Sequence, residues 1–166
     1  GRNYLHKNTS IFPYVVSLLK TQFDIDAEFY VTFTDEEWTH CSDFFKQHVF
    51  NLGQISVAEC PSFYNAMDAI VFLSLLESFS ATPLEAMVMR KILFASNKGF
   101  NRDICGEFAI YFDPLNAEDL ALKIANFVAL TQSEQHEHIE KAFKHAVNFS
   151  SAKERAIKLL NLLNER

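Results

Sequence analysis

Two kinds of stretch alternate along the first 115 residues of the chain. Short apolar runs rich in β-branched and aromatic residues are separated by longer stretches in which apolar residues recur at helical spacing. The strand-like runs are AEFYVTFT, VFNLGQI, DAIVFLSL, KILFASN and FAIYFDP; the helix-like stretches are FPYVVSLLKTQF, DEEWTHCSDFFKQH, AECPSFYNAM and TPLEAMVMR. This alternation predicts an α/β fold, a Rossmann-like, doubly wound parallel sheet with helices on both faces.

After residue 115 the strand-like runs stop. Only helices are predicted from Asn116 to Arg166, in AEDLALKIANFVALT, SEQHEHIEKAFKHAV and SAKERAIKLLNLLNER, with Ser133 and Ser151 as N-caps. The 166 residues, 49% of them hydrophobic, suffice for one core, so we expect a single domain over 1–166. The opening GRNYLHKN has the character of a loop that follows a strand. We therefore expect the chain to be part of a longer protein.

Charge and hydropathy narrow the function classes. The formal net charge is -6 at pH 7 and the Lys and Arg residues form no basic stripe, which argues against a nucleic-acid partner. No apolar run reaches the roughly 20 residues that a membrane-spanning helix needs, so we expect a soluble, cytoplasmic protein. Cys41, Cys60 and Cys105 lack metal-ligand spacing and are typical of reduced thiols without a functional role.

The stretch ESFSATPLEAM, residues 77–87, places two acids around the start of a predicted helix. Thr82 has the position of an N-cap, Pro83 that of the first helical residue, and Glu85 that of the third, which together predict a capping box with a proline start. A capping box alone would explain Glu85 and contributes about 1 kcal/mol. On this interpretation the acid is structural.

A functional interpretation uses the same geometry. Loops at the carboxyl ends of parallel strands gather ligands, and a helix start with the hydroxyls of Ser78, Ser80 and Thr82 can hold a phosphate. Acids on both sides of that phosphate would accept hydrogen bonds from sugar hydroxyls, the order of groups in a nucleotide-sugar. Because acids repel phosphate, positive charge must come from elsewhere. Arg2 and Lys7, in the opening loop at the same predicted edge, can supply it, although for either residue taken alone a solvated surface charge is the more common role.

Several motifs together resemble a known family. GRNYLHKN, FNLGQIS, DAIVFLSLLESFSATPLEAM, ILFASN and YFDP occur in the order seen in the C-terminal, donor-binding domain of retaining glycosyltransferases of family 4, which have the GT-B type fold. The resemblance covers roughly residues 1–115. Its most specific element is the pair of Glu residues separated by seven positions and followed by AM. The chain would then be one half of a two-domain enzyme.

The resemblance implies a role for each matching residue. Glu77 would contact the transferred sugar and Glu85 the ribose, while Arg2 and Lys7 would neutralise the diphosphate. The backbone amides around Ser78, Phe79 and Ser80 would face the distal phosphate and sugar, and the base would pack on the loop of Gly53, Gln54, Ile55 and Ser56. The family often has glycine where Ser78 and Ser80 stand and proline where Leu73 stands, which affects the rigidity of the phosphate loop.

The implied activity is metal-independent, retaining hexosyl transfer from a UDP-, GDP- or ADP-sugar, without a cofactor. The acceptor would be a glycan or lipid-linked glycan held by an N-terminal domain, in glycan, capsule or lipopolysaccharide synthesis, with the full protein cytoplasmic or peripheral at the inner membrane. We expect residues 1–166 alone to be inactive. Two alternatives stay open, a nucleotide-sugar epimerase of the same architecture and a non-catalytic, doubly wound regulatory or docking module.

Other motifs are interpreted as structural. Asp24 and Asp26 form a D-x-D pattern, but they precede a predicted strand and so fall at the opposite edge of the sheet, where a solvated turn is expected. His136 and His138 are two positions apart on a predicted helix and lie on different faces, so they are assigned to a solvated surface. Tyr64 is assigned to the core.

Overall fold

The computed structural model describes residues 2–149 together with residues 154, 156, 157, 160 and 161. In this part of the chain, five short parallel strands form two sheets, with β1 beside β2 and with β4 between β3 and β5. The strands are β1 (Phe29–Val31), β2 (Val49–Asn51), β3 (Ala69–Phe72), β4 (Ile92–Ser96) and β5 (Ile110–Phe112). The predicted parallel α/β fold is confirmed.

Helices connect successive strands and continue after the last one. They are α1 (Phe12–Phe23), α2 (Asp35–Thr39), α3 (Asp43–His48), α4 (Cys60–Ala66), α5 (Thr82–Val88), α6 (Gly99–Cys105), α7 (Ala117–Val128) and α8 (Gln132–Val147). Single 3-10 turns occupy Leu5–Lys7, Thr9–Ile11 and Val57–Glu59. No helix within the described residues is long and apolar enough to cross a membrane.

Alternate residues of β4 show that helices cover both faces of the three-stranded sheet. Ile92 and Phe94 pack in one cluster with residues of α1 and α7, and the same cluster contains buried residues of β1 and β2. Leu93 and Ala95 pack in a second cluster, with residues of α5, α6 and α8. Both faces of β4 are thus buried, as expected of a central parallel strand. The first cluster also unites the two sheets in one core.

The segment DEEWTHCSDFFKQH forms two helices, so its prediction as one helix was wrong. Thr34 and Glu37 make a capping box at the start of α2, and Ser42 accepts a hydrogen bond from the backbone N–H of Phe45 to cap α3. Two caps so close together favour two short helices over one long helix. Helix α6 was not predicted, because its seven residues, GFNRDIC, show no amphipathic repeat.

The N-cap predicted for the helix after α7 was two residues too late. Thr131, and not Ser133, caps α8, in a reciprocal capping box with Glu134. Helix α7 begins after Asn116, whose side chain accepts from the backbone N–H groups of Glu118 and Asp119. The predicted cap Ser151 lies outside the described residues, as does most of the final predicted helix.

The two motifs interpreted as structural differ in outcome. Asp24 ends α1 and Asp26 precedes β1, at the edge opposite the carboxyl ends of the strands, where Lys20 pairs with both carboxylates. His136 is exposed, but His138 is half-buried with its ring against Phe127. The interpretation of both histidines as a solvated surface was therefore wrong for His138, whose pKa is lowered by burial.

The opening loop is fastened to α2 by Glu37. The Nε of Arg2 and the backbone N–H of Asn3 both donate to its Oε1, at 2.7 and 3.0 Å, and the backbone N–H of Thr34 donates to its Oε2 at 2.9 Å. Burial alone would raise the pKa of Glu37, but these donors outweigh it and lower the pKa to about 2. Glu37 thus stabilises both a helix start and the loop before α1.

The shared core predicts an asymmetry within α7. Leu120 is fully buried there, whereas Leu122 is 44% exposed on the same helix. Leu120→Ala should lower the free energy of unfolding by about 2–5 kcal/mol, because it opens a cavity, and Leu122→Ala should change it by less than about 0.5 kcal/mol. Urea unfolding of both variants measures the difference. Equal losses would contradict the position of α7 against the sheets.

The lowered pKa of Glu37 predicts a pH-dependent contribution to stability. The ionised carboxylate is favoured in the folded state, so its contribution is complete above its ordinary pKa of 4.5 and is lost as the pH falls toward 2. The difference in unfolding free energy between the wild type and Glu37→Gln should therefore shrink over that range. Denaturant unfolding at a series of pH values tests this, with the exposed neighbour Glu36→Gln as control. A difference independent of pH would contradict the assigned contacts.

Candidate functional site

The opening loop and the loop after β3 meet at the carboxyl ends of the strands. The backbone N–H of Leu75 donates to the carbonyl of His6 at 2.7 Å, although the two residues belong to distant parts of the sequence. The same opening loop also reaches the end of β5, where the side-chain amide of Asn8 donates to the carbonyl of Pro114 at 2.6 Å. Loops from three places in the sequence therefore form one surface at the edge where open parallel sheets bind ligands.

Lys7 and Glu77 form an ion pair on this surface. The Nζ of Lys7 donates to the Oε1 of Glu77, and the Oγ of Ser74 donates to the same oxygen at 2.7 Å. The side chains of Lys7 and Glu77 are only 26% and 13% exposed, so the pair is mostly shielded from water. Partial burial by itself would raise the pKa of Glu77, but the hydrogen bonds from Lys7 and Ser74 hold that pKa below its ordinary value. Glu77 is therefore an ionised acceptor next to a cation.

The position of Lys7 is supported by an aromatic ring. Its ammonium lies 5.5 Å from the centroid of the Phe72 ring, at the end of β3, within the range of a cation–π contact. The 3-10 turn Leu5–Lys7 ends in Asn8, whose φ of 53° is left-handed, and this turn brings the lysine back over the strand. The structure thus brings together two of the predicted charged residues, Lys7 and Glu77.

Glu85 is not part of a capping box, so that prediction was wrong. The N-cap of α5 is Ala81, already in the helical region with a φ of -76°, and no side chain caps this helix. Thr82 is thus the first helical residue and Pro83 the second, which leaves Glu85 one position beyond the place where a capping-box acid reaches back. The structural explanation that the sequence offered for Glu85 is removed.

Tyr64 holds Glu85 instead. The hydroxyl of Tyr64, a buried residue of α4, donates a hydrogen bond to the Oε2 of Glu85 at 2.8 Å. Glu85 itself is exposed. Burial and the hydrogen bond to Glu85 raise the pKa of Tyr64, and the Thr82 hydroxyl also bonds to it. The assignment of Tyr64 to the core is correct for its ring but missed its hydroxyl. Only the three-dimensional approach of α4 to α5 reveals this contact.

The hydroxyl-rich turn lies between the two acids, as its place in the sequence requires. Ser78 and Phe79 are exposed, and Ser80 and Thr82 are half-buried. The carboxylates of Glu77 and Glu85 are thus held at its two ends, one by a lysine and a serine, the other by a tyrosine. Leu73, where the family often has proline, is buried in the main core cluster.

Arg2 and the loop after β2 are held by other residues than the two acids. Within the described residues, Arg2 forms its ion pair with Glu37, and not with Glu77. Gly53 has a left-handed φ of 77°, and its N–H donates to the Oδ1 of Asn51 at 3.2 Å. Gln54 is exposed and Ile55 half-buried. This loop leads through the turn Val57–Glu59 into α4, the helix that carries Tyr64.

A metal site was not expected from the sequence. Among the described residues, no group of three His, Cys, Asp or Glu side chains is placed to hold a metal ion.

Several solved structures share this architecture. TarM aligns with a TM-score of 0.82 at 18% identity, over 99% of this chain and 34% of TarM. The catalytic domain of cholesterol-α-glucosyltransferase from Helicobacter pylori aligns with a TM-score of 0.74 at 22% identity, over 90% of this chain and 95% of that domain. HepE from Anabaena, in complex with UDP, aligns with a TM-score of 0.79 at 17% identity, over 100% of this chain and 47% of HepE.

These likenesses confirm the GT-B type fold that the sequence predicted. The chain spans about one third of the length of TarM and about half of that of HepE. No curated protein matches the sequence. The model of the family described as glycosyl transferases group 1 matches residues 44–145, more than half of the chain and including both Glu77 and Glu85. The chain therefore belongs to the group 1 glycosyl transferases.

Proposed function

We propose that this chain is the donor-binding part of a retaining, metal-independent glycosyltransferase of family 4, and that it binds a nucleotide diphosphate sugar. The diphosphate lies beside Lys7 and the hydroxyl-rich turn. The transferred sugar is held by Glu77, the ribose by Glu85, and the base lies on the loop of Gly53, Gln54 and Ile55.

The observation that carries this proposal is the partly buried pair of Lys7 and Glu77. A cation can stabilise a diphosphate, and an ionised carboxylate next to it can accept hydrogen bonds from sugar hydroxyls. Because the pair is mostly shielded from water, both interactions are stronger there than on an open surface. A solvated lysine, the alternative for Lys7, would not be held between an acid and an aromatic ring.

The assignment of Glu85 to the ribose is supported by its exposure and by its tie to Tyr64. The tyrosine hydroxyl occupies Oε2 and fixes the carboxylate at the start of α5. A ribose offers two adjacent hydroxyl donors, and a carboxylate has lone pairs on both oxygens to receive them. Glu85 can therefore keep its tyrosine and still bind the ligand.

The chemistry assigned to these residues is electrostatic. During transfer, the bond between the anomeric carbon and the diphosphate oxygen breaks, and negative charge develops on the departing nucleoside diphosphate. Lys7 stabilises that charge, together with the N–H groups at the start of α5. Arg2, whose side chain is 56% exposed, also stabilises this charge by leaving Glu37 and binding the diphosphate. No residue of the chain is assigned as a general base.

Several finer features of the proposal rest on resemblance. HepE structures hold UDP, and one holds UDP and glucose, which supports a uridine nucleotide as the first donor to test, ahead of GDP- and ADP-sugars. We propose a hexosyl donor, and an acceptor glycan or lipid-linked glycan bound by an N-terminal domain, in glycan, capsule or lipopolysaccharide synthesis. A cytoplasmic location, with the full protein peripheral at the inner membrane, belongs to the same proposal.

An epimerase of the same architecture is the second enzymatic candidate. It would bind the same donor through the same two acids, so geometry does not separate the two. The longer protein would then consume nucleotide-sugar in the absence of any acceptor, whereas a transferase would need one.

One prediction of the proposed function concerns the diphosphate. The wild-type chain should bind UDP more tightly than UMP, and Lys7→Met should lose about tenfold or more in UDP affinity, because a charged hydrogen bond to the distal phosphate is removed while the stem over Phe72 is kept. Titration calorimetry measures both affinities. Lys20→Met, at the opposite edge of the sheet, is the matched control and should bind UDP like the wild type. Equal affinities of the wild type for UDP and UMP would refute the diphosphate site.

Another prediction of the proposed function separates the roles of the two acids. Glu85→Gln should weaken the binding of both UDP and UDP-glucose by about tenfold, since the ribose loses a charged acceptor. Glu77→Gln should leave UDP binding nearly unchanged and weaken only UDP-glucose binding. Calorimetry with both ligands reads out the pattern, and GDP and ADP with their glucose derivatives replace them if uridine nucleotides do not bind. If Glu77→Gln loses UDP affinity as strongly as Glu85→Gln, the two ends of the donor are assigned wrongly.

A further inference from the structure

A chain of buried polar side chains runs behind Glu77. Ser74, two residues after β3, Ser96, the last residue of β4, and Asn101 on α6 are 1%, 0% and 0% exposed. They are three of the four buried polar residues in the described part of the chain. All three belong to one hydrogen-bonded series, and its outer end is the carboxylate of Glu77.

The direction of each hydrogen bond in the series is fixed. Ser96 donates its hydroxyl to the carbonyl of Ser74 at 2.6 Å, so the Ser96 oxygen can only accept from Asn101. The Nδ2 of Asn101 donates to that oxygen at 2.8 Å and to the Ser96 carbonyl at 2.9 Å. A carbonyl accepts only, so the amide cannot be flipped. Ser74 then donates its own hydroxyl to Oε1 of Glu77.

The side chain of Asn101 carries an energetic cost for the fold. Its Oδ1 is buried and has no hydrogen-bond partner within the described residues. A buried, unsatisfied carbonyl is unfavourable, and an apolar side chain of similar size would avoid it. The amide nitrogen donates to both the carbonyl and the hydroxyl of Ser96, so the Asn101 side chain fixes the rotamer of that serine. The amide oxygen accepts no hydrogen bond among the described residues. Such an arrangement favours a role beyond packing.

We propose that Ser96 and Asn101 are positioning residues for Glu77, acting through Ser74. This inference rests on the proposed function, in which Glu77 contacts the transferred sugar. Neither residue touches the donor. Asn101 orients the Ser96 hydroxyl, Ser96 fixes the Ser74 peptide at the end of β3, and the Ser74 hydroxyl then holds the carboxylate.

The contacts of Glu77 show what this positioning achieves. Ser74 and Lys7 both donate to Oε1, which fixes the rotation of the carboxylate from two sides. The two hydrogen bonds that Glu77 accepts among the described residues thus leave Oε2 for a ligand. A sugar hydroxyl can therefore bind to Oε2 without displacing either protein donor, provided that Ser74 keeps its orientation. Ser96 bonds to the carbonyl of Ser74 and not to its hydroxyl, so the effect passes through the backbone. A shift of the Ser74 peptide moves the Ser74 hydroxyl relative to the carboxylate.

A simpler role for the series would be to join the ends of β3 and β4. Both roles predict lower stability when Ser96 is truncated, so stability alone does not distinguish them. The pKa of the Glu77 carboxyl distinguishes the two roles. Loss of the Ser74 donor should raise the measured pKa of Glu77, because its ionised form loses a hydrogen bond.

The test compares Ser74→Ala, Ser96→Ala and Asn101→Leu with Ile92→Val in the 166-residue chain. Ile92 lies on the same strand as Ser96, in the core and outside the series, so its variant controls for general destabilisation. Carbon-13 NMR titration of the Glu77 carboxyl should show an upward shift in the three series variants, largest in Ser74→Ala, and none in Ile92→Val. This readout needs no ligand and does not depend on the proposed function.

The second readout is the ratio of UDP-glucose affinity to UDP affinity. Ser96→Ala and Asn101→Leu should lower this ratio by about threefold to tenfold with UDP affinity retained, and Ile92→Val should leave it unchanged. If the pKa of Glu77 in Ser96→Ala and in Asn101→Leu equals that in the wild type, the positioning role is overturned and the series only joins the strands. If the pKa shifts but the ratio changes in no variant, Glu77→Gln included, the positioning stands and the sugar assignment of Glu77 fails.

Discussion

The partly buried ion pair of Lys7 and Glu77 is the contact on which the arrangement of this sheet edge depends. It joins two loops whose charged residues are 70 positions apart in the sequence. A charge moved out of water loses solvation that only a close partner restores, so separating the pair would leave two poorly solvated groups. The backbone bond between Leu75 and His6 holds the same loops next to it. Segments without any shared secondary structure therefore act as one rigid surface.

The two acids around the helix start differ in their physical environment. Glu77 is shielded from water and is held by a cation and a buried hydroxyl, so its charge is stabilised by fixed protein groups. Glu85 is exposed, and its carboxylate accepts a hydrogen bond from the neutral hydroxyl of Tyr64. A charge near Lys7 would interact more strongly with Glu77 than with Glu85, because water screens the shielded carboxylate of Glu77 less. This difference agrees with proposed roles at the reacting sugar and at the distant ribose.

The sequence predicted what depends on local pattern and missed what depends on approach in space. The apolar pattern located α1 at its observed bounds and all five strands, because an element buried on one face leaves a repeat and a strand buried on both faces leaves a continuous apolar run. The spacing of Glu77 and Glu85 identified the loop. The prediction of a capping box was wrong because α5 begins at Thr82, one residue earlier than predicted. The backbone angles of Ala81 set that start. The link from Tyr64 to Glu85 and the series behind Ser74 join residues about twenty positions apart, and no local pattern records such contacts.

The two cations assigned to the diphosphate differ in how much must change before they can act. Lys7 is mostly shielded and already faces the turn, held by Glu77 and the Phe72 ring. Arg2 is 56% exposed and is engaged by Glu37, in a pair that water and salt weaken readily. A doubly charged diphosphate next to Lys7 would compete well for Arg2, since the guanidinium could bind its oxygens in a bidentate manner. Glu37 would keep its bonds from Thr34 and Asn3 when the arginine leaves, so the helix start would survive the exchange. In the proposed function Lys7 is therefore the preorganised cation, and Arg2 is the one that the ligand recruits.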